Sequence, residues 1–324
     1  MFRTELHPQA LKNRISLRHS IFTTGSCFSD TIGQALTENK FTVLNNPFGT
    51  VYNPLSIHRQ ISHSLDNRMP DEHGYLQRDD IFLHYDYHSR FAAFSKHSLE
   101  ELLSSAVSGA HRFLQNTHWL IITYGTAWVY RLKENNRPVA NCHKMPDQHF
   151  IRELLTEPEI VHSFGELYRK LKSLRPDLQI ILTVSPVRHL RDTHELNSVS
   201  KAVLRLACHQ LCHNYAGVYY FPAYELMLDD LRDYRFYDTD MIHPSREAIQ
   251  YIWNKFIQSA MDEETRNFIK EWESLRQTLT HKPMFPGSRS HKKLIEATLA
   301  RLEKVKHLVD VSAEIESLQK QLST

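Results

Sequence analysis

An α/β fold with a mainly parallel sheet and helices on both faces is predicted by two observations. Five short runs, 20–24, 41–44, 118–124, 178–184 and 217–221, are dominated by β-branched and aromatic residues, and helix-like stretches lie between them. That alternation is the pattern of a parallel sheet buried under helices. Right-handed crossovers then place the carboxyl ends of the strands along one edge, where open α/β sheets carry their sites. The composition suits this class: the chain has 324 residues, 41% hydrophobic and 23% charged. A net charge of +2 gives no electrostatic case for nucleic acid.

The first run enters "HSIFTTGSCFSDTIGQAL", residues 19–36. Here Ser26 falls just past a strand and at the head of a helix, where orphan N–H groups and the helix dipole favour negative charge. A serine there is either a helix cap or a nucleophile whose oxyanion the turn would stabilise. Cys27 is intrinsically more nucleophilic, but adjacent residues at such a turn diverge, and it is expected to pack in the core. Residues 53–115 are too long for a plain loop and read as a lid-like insertion with helices at 54–64 and 98–115. A second long connection covers 126–160.

Cys208 and Cys212 have helical i, i+4 spacing beside histidines. Leu204, Cys208, Leu211 and Tyr215 also form one apolar face, so they are read as core, and no metal or other cofactor is expected. The last run leads to "RFYDTDMIHPSREAIQYIWNKF", in which Asp240 and His243 are spaced D-x-x-H and Pro244 opens a helix. In a doubly wound sheet this loop shares its edge with Ser26. A serine hydroxyl needs a base, His243 titrates near neutrality, and Asp240 would fix its tautomer. His88, His143 and His189 stand near expected strand ends and, with Arg188 as a fork-shaped donor, are candidates to hold a polar substrate.

Beyond residue 260 the character changes. Two charged amphipathic stretches flank the linker "HKPMFPGSRSH", and Ile295, Leu299, Leu302, Val305, Val309, Ile315, Leu318 and Leu322 form a stripe that packs on the main domain or on a second copy. The expected division is therefore 1–260 for the α/β domain and 261–324 for a helical extension, with a homo-oligomer through those helices as one outcome. No window reaches about 18 apolar residues, so no membrane span is expected. The N-terminus lacks an apolar core of signal-peptide length, and a cytoplasmic location is expected.

The blocks "TTGSCFSDTIGQAL", "NPFGTVYNP", "ITYGTAWVYR", "VANCHKMPDQHF", "SPVRHLRDTHELNSVSKAVL" and "YFPAYELMLDDLRDYRFYDTDMIHPS" resemble the successive motifs of the GSCFA domain family. That family is similar to the SGNH (GDSL-like) esterases and lipases. The resemblance covers roughly residues 20–255. It implies a flavodoxin-like three-layer α/β/α fold, Ser26 as nucleophile, and Asp240 and His243 completing a triad. It also implies an oxyanion hole from the Ser26 N–H and Gly49. "GTA" puts Ala127 where the SGNH pattern has an asparagine, so Asn141 of the following loop, or Thr126, is the expected replacement. The implied activity is hydrolysis of a small-molecule or carbohydrate ester; acyl transfer and a non-catalytic binding module with a degenerate site are the alternatives.

Overall fold

The computed structural model describes residues 4–189, 191, 193–281 and 283–323; Met1–Arg3 and Thr324, the outer ends of the expected division, lie outside them. Its central sheet is formed by β1 (Ser20–Gly25), β2 (Thr42–Asn45), β5 (Trp119–Tyr124), β9 (Gln179–Val184) and β10 (Val218–Tyr220). These strands are all parallel, in the order β10-β9-β5-β1-β2. The order is that of flavodoxin-like sheets, in which the chain reverses direction between its first and third strands, here β1 and β5. All five sequence runs become strands, with ends moved by one residue at most.

Alternation along the strands sorts side chains onto two faces. On one face Ile21, Trp119, Ile121 and Ile181 meet α1 (Cys27–Glu38) and α7 (Arg246–Ala260) through Phe28, Ile32, Ile252 and Phe256. On the other, Phe22, Leu120, Ile122, Ile180 and Leu182 meet α2 (Pro54–Leu65), α3 (Lys96–Leu114), α4 (Glu157–Leu174) and α5 (Thr193–Asn214). The result is a three-layer α/β/α sandwich.

Residues 53–115 do two things. Their helices α2 and α3 bury Ile57, Ile61, Leu99, Leu103 and Val107 under the sheet. Between these helices, β3 (Tyr75–Arg78) and β4 (Ile81–His84) form a hairpin. The second connection forms a small antiparallel sheet, β7-β6-β8, from β6 (Trp128–Leu132), β7 (Pro138–Val139) and β8 (Phe150–Leu154). After β10, a short helix α6 (Ala223–Glu225) and a π-helical turn lead toward α7.

Three further helices follow: α8 (Glu263–Thr280), α9 (Arg289–Val305) and α10 (Ser312–Ser323). Their apolar faces are turned inward. Phe268, Trp272, Leu275, Ile295, Leu302 and Leu318 join the same core as α1 and α7. Trp272 Nε1 donates to the Glu38 carbonyl at 2.8 Å, and Lys40 pairs with Glu314 at 2.7 Å. The stripe thus packs within its own chain, with Ile295, Leu302, Val305 and Leu318 buried and Leu299, Val309, Ile315 and Leu322 partly buried. No helix among the described residues is long and apolar enough to cross a membrane.

Candidate active site

The carboxyl ends of β1, β5 and β9 are drawn together at one edge by a tight set of backbone contacts. Gly25 ends β1 at φ +134°, and a Cβ there would lie 2.1 Å from the Thr123 carbonyl oxygen, so only glycine permits this approach to β5. The Ser26 N–H then donates to Thr123 O at 3.1 Å. Asn46, past the end of β2, accepts the Gly25 N–H on its side-chain oxygen at 3.1 Å, and its own N–H donates to Thr23 O at 2.9 Å. Gly49 sits at φ +75° beneath His88, whose Cβ would be 2.5 Å from any glycine substituent. The Gly49 N–H donates to Asn46 O at 2.9 Å.

Ser26 caps α1 in extended conformation without a side-chain capping bond. It has 0% exposure, and its Oγ has no hydrogen-bond partner. Cys27, the first helical residue, is partly exposed. Burial pushes its thiol pKa up. The Asp30 charge pushes it further the same way, and hydrogen bonding from the Phe28 and Cys27 N–H groups and the Lys201 charge offset only part of the rise.

Lys201 belongs to α5 and is 1% exposed. Its Nζ donates to Gly125 O at 2.8 Å and to Ser185 O at 2.7 Å, the chain ends just past β5 and β9. Burial pulls its pKa down to about 7, and the Cys27 charge opposes that shift. The Tyr52 carbonyl accepts the Gly125 N–H at 2.8 Å, and the Tyr52 ring meets His189 edge-on at 4.9 Å. The His189 Nε2 is buried without a partner. Burial, then Lys201 and His243, holds the His189 pKa down at about 3, so this ring is neutral.

The D-x-x-H loop completes the edge. Asp240 Oδ2 lies 2.6 Å from His243 Nδ1, while its Oδ1 accepts the Ile242 and His243 N–H groups at 2.8 and 2.9 Å. Those bonds hold the Asp240 pKa at about 2, and an ionised carboxylate only accepts, so Nδ1 carries the proton and Nε2 is the basic nitrogen. Both side chains are open to solvent, 48% for His243 and 44% for Asp240. Arg188 tethers this loop: its N–H donates to Ile242 O at 3.2 Å and its guanidinium to Met241 O at 3.3 Å. The guanidinium also lies 3.8 Å from the Tyr237 ring centroid.

The remaining candidates have other partners. The Thr126 hydroxyl is 2.9 Å from Ser200 Oγ, which accepts the Ala127 N–H at 2.7 Å, and Ala127 is wholly buried. Asn141 Oδ1 accepts the His143 N–H at 2.8 Å, the Asn141 N–H donates to Tyr85 O at 3.2 Å, and His143 Nε2 meets His84 O at 2.9 Å. Asn141 and His143 are therefore held against the end of the β3–β4 hairpin. Sequence reasoning passed over Asn46, Tyr52 and Lys201. Lys201 had a signal: with Asn197, Leu204, Cys208 and Leu211 it falls on the buried stripe of its helix, where a lysine is out of place.

The GSCFA family profile matches residues 20–256, and the profile for the C-terminal domain of GSCFA domain proteins matches residues 272–324. Among solved structures, a family 3 carbohydrate esterase from Clostridium thermocellum aligns at TM-score 0.36 and 10% identity, over 78% of this chain and 98% of the other. A family 3 carbohydrate esterase from Talaromyces cellulolyticus aligns at TM-score 0.35 and 9% identity, over 78% and 99%. No curated protein matches the chain in sequence.

Proposed function

The chain belongs to the GSCFA family, and from that premise we propose that its sheet edge cleaves an acyl ester, with His243 as the base, Asp240 orienting it, and a side chain of the β1–α1 turn attacking the acyl carbon. The observation that carries this reading is the 2.6 Å contact between Asp240 Oδ2 and His243 Nδ1, which leaves Nε2 free to take a proton. Ser26 is the nucleophile in the sequence pattern, and its unpartnered hydroxyl has no competing hydrogen bond to give up. The N–H groups of Ser26 and Gly49 are committed to Thr123 and Asn46, so the donors for a developing oxyanion are the N–H groups of Cys27 and Phe28 in the first turn of α1, which the helix itself leaves without acceptors.

The substrate class is a small-molecule or carbohydrate ester. Water as acceptor makes the reaction hydrolysis, and a second alcohol makes it transfer. The test is turnover of p-nitrophenyl acetate by the full chain. His243→Ala is expected to lower kcat/KM by about 10²–10⁴-fold, the usual contribution of a positioned base. Equal turnover in that variant sinks the assignment.

A further inference from the structure

We propose that the groove between α1, α7 and α8 binds a neutral, polyhydroxylated chain, an oligosaccharide, in a site that the C-terminal helices complete. The groove encloses about 790 Å³, a volume within the range of small-molecule sites. Its α1 and α7 walls belong to the segment matched by the GSCFA profile, and its α8 wall belongs to the segment matched by the C-terminal profile. Ligand sites occur preferentially at such junctions. Each helix turns one face to the space: Arg246 and Gln250 on α7, and Glu273, Arg276, Gln277 and Thr280 on α8, stand three or four residues apart. The neighbouring face of α8, with Phe268, Trp272 and Leu275, is apolar and closed into the core. The groove face is polar and open.

The lining chemistry selects the ligand. Two arginines, Arg246 and Arg276, are balanced by two glutamates, Glu38 and Glu273, and Arg276 pairs with Glu38 at 2.7 Å. The groove therefore presents no net charge to recruit an ion of either sign. Gln34, Gln250 and Gln277 add amides, and Thr31 and Thr280 add hydroxyls, groups that both donate and accept, as the hydroxyls of a sugar do. Asn39, which ends α1 in the same lining, is 3% exposed. Its Nδ2 donates to Ala35 O at 2.8 Å, while its Oδ1 is buried with no partner. A buried acceptor without a donor is costly, and a ligand hydroxyl supplies the donor that an apolar chain lacks. The groove also begins close to the sheet edge along both helices. Thr31 is five residues past Ser26 on α1, about 7.5 Å of helix rise, and Arg246 opens α7 three residues past His243. On the ester-cleaving reading, on which this last step rests, the bound chain carries the ester and the substrate is a carbohydrate ester.

The experiment is isothermal titration calorimetry of the full chain with three neutral hexasaccharides: xylohexaose, cellohexaose and maltohexaose. At least one is expected to bind saturably. Gln277→Trp fills the groove from an exposed position on α8 and is expected to abolish that binding while the variant still melts cooperatively. Gln250→Ala, also at an exposed position, is expected to weaken binding by up to about tenfold, the loss of one hydrogen bond. Failure of all three sugars to bind overturns the proposal, as does binding that neither variant alters. A dimer that Gln277→Trp disrupts, seen by sedimentation in protein that binds no sugar, also overturns it and assigns the groove to a second copy. Binding is read without turnover, so the two readings fail separately. Turnover of p-nitrophenyl acetate without sugar binding overturns the groove and leaves the ester-cleaving reading standing. Groove-dependent sugar binding in protein that cleaves no ester upholds the groove and removes only the ester-cleaving reading.

Discussion

At Gly25 the backbone stands at φ +134° with the Thr123 carbonyl where a side chain would begin. Gly25→Ala should therefore destabilise the fold by at least about 2 kcal/mol, through strain and overpacking together, which denaturant unfolding would measure. Arg188 supports a prediction on catalysis. Its guanidinium bonds Met241 O and lies over the Tyr237 ring, and so braces the loop that carries Asp240 and His243. Arg188→Ala should lower kcat by about tenfold or more with little change in KM, because loss of orientation acts on the chemical step; a rise in KM at constant kcat would show that Arg188 binds substrate instead. Asp240 was legible from the D-x-x-H spacing because its partner is three residues away. Lys201 was passed over because its carbonyl acceptors, Gly125 and Ser185, lie 76 and 16 residues away.

The C-terminal helices show the same limit at the level of elements. Their amphipathic stripe was plain in the sequence, but a stripe does not name what covers it. The covering surface includes α1 and α7, with Trp272 reaching the carbonyl that ends α1. Trp272→Ala should cost about 3–5 kcal/mol in thermal or denaturant unfolding, the usual effect of removing a buried aromatic. A shift of only a few tenths would mean that α8 contributes little to the core. In the 53–115 segment, α2 and α3 carry the same kind of stripe and bury it under the sheet, and the hairpin projects between them.

Across the whole molecule, pH reads out what burial has done. His58, buried between Tyr124 and Ser163, has its pKa lowered to about 3, and His189 is also held at about 3. Both stay neutral in the fold while the unfolded chain binds protons below about 6.5. Stability should therefore fall as pH drops from 6.5 toward 3, and urea unfolding at pH 7 and pH 5 measures it. Lys201, lowered to about 7, acts between 7 and 10.5: the unfolded chain holds more protons, so stability should rise with pH there, and Lys201→Met should remove that slope. By itself the sequence determined the α/β class, the five strands and the Asp240–His243 pair. Each rests on local periodicity or on residues close in the chain. Only the tertiary structure decided that Ser26 is buried while Cys27 is partly open. It likewise decided that the Gly49 N–H is already bonded, and that a lysine from α5 lies under the ends of β5 and β9. Those outcomes depend on which backbone groups meet once distant strands pair, and no spacing along the chain encodes that.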